Sequence, residues 1–174
     1  MYKIVPPLRG TFCFSFATML YKKQLTKEQA LQKLKHYCGY QERCHHEVKQ
    51  KLYDLGVRRS EHDEITATLI EQGYLNEERF AIAFAGGRFR AKHWGRVKIK
   101  YELKQKQVSD YSIKKALQQI GEEEYRKSLH HLAEERYASL KGEQWLVRKK
   151  KTIDYLQQKG YELNLINQVM DSIS

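Results

Sequence analysis

Three leucines, Leu52, Leu103 and Leu156, stand 51 and 53 residues apart, and the residues around them repeat in step. Four positions after each comes Gly56, Gln107 and Gly160, followed at once by Val57, Val108 and Tyr161. Nine and thirteen positions past that turn lie Ile65 and Leu69, Ala116 and Ile120, and Val169 and Ile173. Upstream, Ala30 and Ala81 each precede their leucine by 22 residues, and Ala133 is one residue out of step. Apolar residues at three- and four-residue spacing mark helical faces, and a fixed long period marks helical units stacked on a continuous core. Only two prolines occur, Pro6 and Pro7, so nothing beyond them breaks a helix by proline chemistry. The chain therefore reads as all-α, with three tandem three-helix repeats over 26–74, 75–121 and 122–174 forming an elongated, curved array.

Local signals place the helix ends. Thr26-Lys-Glu-Gln29 fits a capping box, and Ala30, Leu31, Leu34, Tyr37 and Cys38 share the face that follows. Asn76 and Ser109 are further N-caps, while Gly39, Gly56, Gly73 and Gly160 are stops. Gly86-Gly87 is expected to break or kink the helix that starts near Glu77. Three positions drift from the repeat. Gln107 stands where glycine would ease a left-handed turn, and His62 fills the slot of Ile113 and Ile166. Thr152 replaces Val48 and Ile99, with Ile153 expected to take over the core contact.

Residues 1–25 do not fit the repeat and read as a poorly ordered leader or a short strand. Phe12, Phe14 and Phe16 alternate with period two, Pro6-Pro7 and Gly10 suggest loop, and Met19 offers an alternative start. The apolar run Thr11–Tyr21 lacks a small-residue cleavage site and falls short of a membrane span. Three cysteines without scaffold spacing fit a reducing setting, so a cytoplasmic monomer with no membrane contact is expected.

Catalysis is not expected. Cys38, Cys44, His45 and His46 have no second ligand pair at zinc-site spacing, and Cys38 falls on a core-facing position, so no metal and no cofactor is assigned. Gly86-Gly87-Arg88 lacks the Gly-Lys-Ser/Thr ending of a phosphate loop. Glu122, Glu123 and Glu124 suit a helix first turn, where negative charge meets the positive end of the dipole.

Charge carries the functional signal. The chain has a net charge of +11, and between Arg88 and Lys106 eight Lys or Arg face one acid, Glu102. Arg96, Lys100 and Lys104 recur every four residues and form one helical stripe, with Lys98 in the same segment. Arg88, Arg90 and Lys92 extend it upstream, interleaved with Phe89 and Trp94, which are assigned to the core. Arg148, Lys149, Lys150 and Lys151 form a second cluster, and Lys49 and Lys51 a weaker third. A solvated face explains most charge runs, but one-sided basicity favours a polyanion footprint with salt-sensitive affinity.

The segment Gly73-Tyr74-Leu75-Asn76-Glu77-Glu78-Arg79-Phe80-Ala81 resembles the signature of the RecX family, G-Y/L-L-D/N-D/E-x-R-F-A. Gly95 to Ile99 with Glu102-Leu103 resembles that family's G-x-x-R-I…E-L segment, the arginine being Arg96 here. The resemblance spans about residues 26–174. It implies a modular helical regulator of the RecA recombinase that binds in the groove of the RecA–DNA filament. Such a protein limits filament growth, strand exchange and ATP hydrolysis, within recombinational DNA repair and the SOS response. It further implies weak, salt-dependent contact with single- or double-stranded DNA. On that basis Arg88, Arg90, Lys92, Arg96, Lys98, Lys100, Lys104 and Arg148 to Lys151 are the candidate filament- or DNA-binding residues. The competing readings are a free-standing DNA-binding module of helix-turn-helix type and a protein scaffold indifferent to salt.

Overall fold

The computed structural model describes residues 25–173, which form α-helices joined by short turns, with no strand among them. The expected leader over 1–25 lies outside the described residues except for Leu25. The helices come in three consecutive triplets. The first holds α1 (Lys27–Tyr40), α2 (His45–Asp54) and α3 (His62–Glu71), with one 3₁₀ turn at Arg59–Glu61 before α3. The second holds α4 (Glu77–Lys92), α5 (Arg96–Gln105) and α6 (Asp110–Gln118). The third holds α7 (Glu122–Ser139), α8 (Trp145–Lys159) and α9 (Leu163–Ile173).

The repeat anchors of the sequence are the core. Leu52, Leu103 and Leu156 are fully buried, as are Ala30, Ala81 and Ala133. The turn that follows each leucine is left-handed in all three triplets, with φ of 70° at Gly56, 59° at Gln107 and 90° at Gly160. Gln107 thus adopts a conformation that disfavours a side chain, and the repeat holds it there because Val108 behind it must enter the core. His62 occupies the slot of Ile113 and Ile166. It is buried, its Nε2 lies 3.1 Å from the Val57 carbonyl, and its ring meets Tyr53 edge-on at 4.7 Å.

Three expectations are corrected. Thr152 itself fills the core slot, fully buried with its hydroxyl donating to the Arg148 carbonyl at 2.8 Å, while Ile153 is only partly buried. That back-bond satisfies the one polar atom, so threonine can stand in for valine there. Gly86-Gly87 does not interrupt α4, which is continuous because Ala81, Ala85 and Phe89 bury one face on either side of the pair. The core is not continuous either. Triplets two and three share one cluster that includes Leu103, Leu129 and Leu156, whereas Leu34, Val48, Leu52 and Ile65 of the first triplet form a separate one.

The signature Gly73–Ala81 fixes the corner between triplets one and two. Asn76 caps α4, its side-chain oxygen accepting from the Arg79 amide at 2.9 Å. Arg79 donates to the Gly73 carbonyl at 2.9 Å and to Glu42 at 2.5 Å. Leu75, Phe80 and Ala81 are buried. Glu77 reaches the start of α6, accepting from the Ser109 amide at 3.2 Å and the Ser112 hydroxyl at 2.8 Å. Burial opposes the charge on Glu77, but the Ser109 and Ser112 hydrogen bonds outweigh it and hold the carboxyl below its ordinary value.

Glycine is required where α8 meets α5. A Cβ on Gly95 would lie 2.1 Å from the Gly160 carbonyl oxygen, and one on Gly160 would lie 2.3 Å from Lys98 Cβ. Gly95→Ala or Gly160→Ala should therefore lower unfolding free energy by at least about 2 kcal/mol in urea titration, whereas Gly87→Ala, whose Cβ meets open space in mid-helix, should raise it by about 0.5–1 kcal/mol. Because the folded-state pKa of Glu77 is lowered, its stabilisation is present above the ordinary carboxylate pKa and lost as pH falls through the folded value. Acid titration below about pH 4 should show a shallower stability loss in Glu77→Gln than in the parent chain.

Candidate nucleic-acid interface

The basic segment lies on α4, on α5 and in the turn between them, against the seam where triplets two and three fuse. That seam is made by backbone. The Gly95 amide donates to the Lys159 carbonyl at 2.8 Å and the Val97 amide to the Gly160 carbonyl at 3.0 Å. Between them the Arg96 amide donates to the Tyr125 hydroxyl at 3.0 Å, which in turn donates to Glu162 at 2.7 Å. The first amides of α5, left without a side-chain cap by Gly95, are thus capped by the third triplet. Burial pushes the Tyr125 phenol far above its usual range, so it stays a proton donor toward Glu162. Phe89, Tyr125 and Tyr161 stack beneath the seam with centroids 5.8 and 5.0 Å apart.

The sequence stripe divides on this frame. Arg96 is turned inward: its guanidinium lies 4.2 Å from the Tyr125 ring centroid and donates to Glu122 at 2.9 Å and to the Ile120 carbonyl at 3.3 Å. Hydrogen bonds from Arg96 and Arg126 hold the Glu122 carboxyl below its usual range. Lys104 pairs with Asp110 at 3.2 Å. Lys100, between them, is exposed and pairs with no carboxylate among the described residues. With Lys114 these three cations line a cavity of about 740 Å³ between α5 and α6, floored by Ile113, Leu117 and Ile120.

Upstream, Arg90 and Lys92 are exposed and Arg88 half-buried. Arg88 lies over the rings of Phe84 and Trp94, at 5.0 and 5.4 Å. Phe89 is buried as expected, but Trp94 is only partly so and packs on the edge of the core. Lys98 lies 4.9 Å from the Trp94 ring centroid and donates to the Gln158 carbonyl.

The cluster on α8 is not a continuous basic surface. Arg148 packs 3.8 Å from the Tyr137 ring centroid and donates to the Tyr137 carbonyl at 2.8 Å. Lys149 pairs with Asp171 at 3.2 Å and Lys151 with Glu143 at 2.6 Å, leaving Lys150 exposed. The sequence reading missed Lys114 and Lys159, which reach the same surface from α6 and the end of α8. A helical wheel of α5 alone carries no signal for either. Cys38 and Cys44 belong to different cores, and burial raises the Cys38 thiol to about 11, so they act as packed apolar groups. Among the described residues no helix is long and apolar enough to cross a membrane.

Residues 76–117 match the model of the second three-helix domain of RecX, and 122–170 match that of the third, together more than half of the chain. The chain belongs to the RecX family. A regulatory protein RecX of Leuconostoc mesenteroides is 30% identical over 127 residues, covering 73% of this chain and 48% of that one. One from Prosthecochloris aestuarii is 29% identical over 145 residues, covering 83% and 93%. A crystal structure of regulatory protein RecX matches with a TM-score of 0.77 at 20% identity, over 83% of this chain and 71% of that one. The chain thus spans about half the length of the Leuconostoc relative and nearly all of the Prosthecochloris one.

The division of the stripe is testable. Arg96→Ala should lower unfolding free energy by about 1–3 kcal/mol, since it strips partners from Glu122 and the Ile120 carbonyl, while Lys100→Ala should change it by less than about 0.5 kcal/mol. Paired thermal and urea melts would read the difference.

Proposed function

We propose that this protein regulates the RecA recombinase, binding in the groove of the RecA–DNA filament and limiting its extension, strand exchange and ATPase activity. Membership of the RecX family carries this reading, through the two domain models that match the second and third triplets. The charge distribution supports it: a one-sided basic surface on α4 and α5 suits a polyanionic filament, and a helical-repeat scaffold presents an extended face. The protein acts by binding, as a monomer, with no reaction of its own.

Within the surface the residues divide their labour. Arg90, Lys92, Lys100 and Lys150 present charge outward, and Arg88 and Lys98 are half-buried against Trp94 without a carboxylate partner among the described residues. Arg96, Lys104, Arg148, Lys149 and Lys151 are ion-paired or packed within the fold and contribute to the field while holding its shape. Long-range steering depends on the sum of these charges, and close contact depends on those without partners.

The direct test is the ATPase of RecA on single-stranded DNA with and without this protein. Hydrolysis should fall as the protein is added. In the double variant Arg90→Glu with Lys100→Glu, the concentration needed should rise by roughly tenfold, equivalent to about 1.4 kcal/mol. Unaltered hydrolysis at saturating wild-type protein would overturn the proposal. A DNase footprint at one preferred sequence would support instead a free-standing helix-turn-helix module.

A further inference from the structure

Arg96, Lys104, Lys149 and Lys151 of the candidate interface have a counter-charge within the protein, whereas the cations gathered around one point of it do not. Arg88, Lys92 and Lys98 converge on Trp94, with Lys159 beside them over the Tyr155 ring, and no carboxylate of the described residues pairs with any of the four. Lys98 Nζ lies 4.9 Å from the indole centroid, Lys92 Nζ 5.4 Å and the Arg88 guanidinium carbon 5.4 Å. Lys159 joins from the end of α8, donating to the Lys92 carbonyl at 3.2 Å, while Lys98 donates back to the Gln158 carbonyl at the same distance.

The fold explains how four like charges can gather here. Helices α4 and α8 both end at this point, so their last carbonyls present the negative ends of two dipoles, and the indole face adds its own negative quadrupole. These are partial charges. They hold the cations in place without neutralising them, and the Lys98 and Lys159 ammonium groups each use one of their three donors on a carbonyl. The cluster is therefore organised, and no carboxylate of the described residues offsets its charge.

We infer that this cluster binds a phosphate of a DNA backbone, shared among Arg88, Lys92, Lys98 and Lys159 with Trp94 as its apolar support. This rests on the reading that the α4–α5 face meets a RecA–DNA filament, and it assigns the DNA part of that contact to one place. A phosphodiester suits the cluster because its oxygens accept charge-assisted bonds from guanidinium and ammonium groups together. Aromatic side chains set among cations are also the composition of strand-tracking grooves. By contrast, the Arg96–Lys104 stripe already holds Glu122 and Asp110.

The test uses the full chain without recombinase. The protein has two tryptophans, so Trp145→Phe, at an exposed position, leaves Trp94 as the only indole. Its emission should change saturably on titration with oligothymidine or with a duplex, the two arms telling single strand from double. Lys92→Gln with Lys98→Gln should reduce the slope of log affinity against log salt by about 0.7 on single strands or about 0.9 on duplex, one phosphate contact in either case. Lys33→Gln with Lys141→Gln, at exposed positions on α1 and just beyond α7, removes equal charge elsewhere and should leave the slope unchanged, and Lys98→Arg should keep it. Equal slope losses in the two doubles, an unmoved Trp94 emission at saturation, or binding of polyglutamate through the same residues as tightly as DNA would each overturn the inference. A chain that binds DNA this way yet leaves the recombinase ATPase untouched would remove the filament reading and keep this one.

Discussion

The end of α8 caps the start of α5, and the architecture of the basic face depends on that crossing. Three consecutive amides, of the N-cap Gly95 and of Arg96 and Val97 in α5, find their acceptors on the third triplet: the Lys159 carbonyl, the Tyr125 hydroxyl and the Gly160 carbonyl. An unmet buried amide costs about 1–3 kcal/mol, so separating the two triplets would leave α5 with several such deficits at once. The contact also sets the distance between the backbones, which only glycine at 95 and 160 allows. Because the two triplets share one apolar cluster beneath the crossing, they behave as one packed body, and the cations of α4, α5 and α8 keep fixed mutual positions.

The joint to the first triplet has a different character. Its core is separate, and the connection to the second triplet runs through ion pairs, Arg79 with Glu42 at 2.5 Å and Lys106 with Glu47 at 2.6 Å. One apolar peg crosses: Cys44, which precedes α2, packs into the cluster of triplets two and three. Charge contacts at partly exposed positions are weak and screened by salt, whereas the backbone crossing on the other side is not. The two ends of the array are therefore attached with different stiffness by the same repeat.

Much of this was legible in the sequence, for a reason that also marks the limit. The repeat anchors Leu52, Leu103 and Leu156 and the caps Thr26, Asn76 and Ser109 act within one triplet, where spacing along the chain determines which residues meet. Gln107 could be recognised as a left-handed turn because glycine fills the same place twice. What could not be read was anything set by a partner from another triplet. Gly95 and Gly160 each look like an ordinary helix boundary, and nothing in their local sequence says that they touch. Arg96 and Lys100 are equivalent on a helical wheel, yet one is bound to Glu122 and the other faces solvent. Thr152 was misplaced because polarity argued it out of a slot that its back-bonded hydroxyl lets it fill.

The same separation of local and long-range effects shapes the functional reading. Family membership says what kind of protein this is, while the crossing of α5 and α8 decides which of its cations are left to meet an anion. Lys98 and Lys159, drawn across that crossing to opposite carbonyls, can belong to the proposed binding surface only if the crossing is intact. Native-state hydrogen exchange of the Gly95, Arg96 and Val97 amides tests this most directly. If α8 caps α5 as described, these three should exchange as slowly as the interior amides of α5, through global unfolding of the fused triplets. Exchange at the rate of an ordinary uncapped helix start would contradict the account.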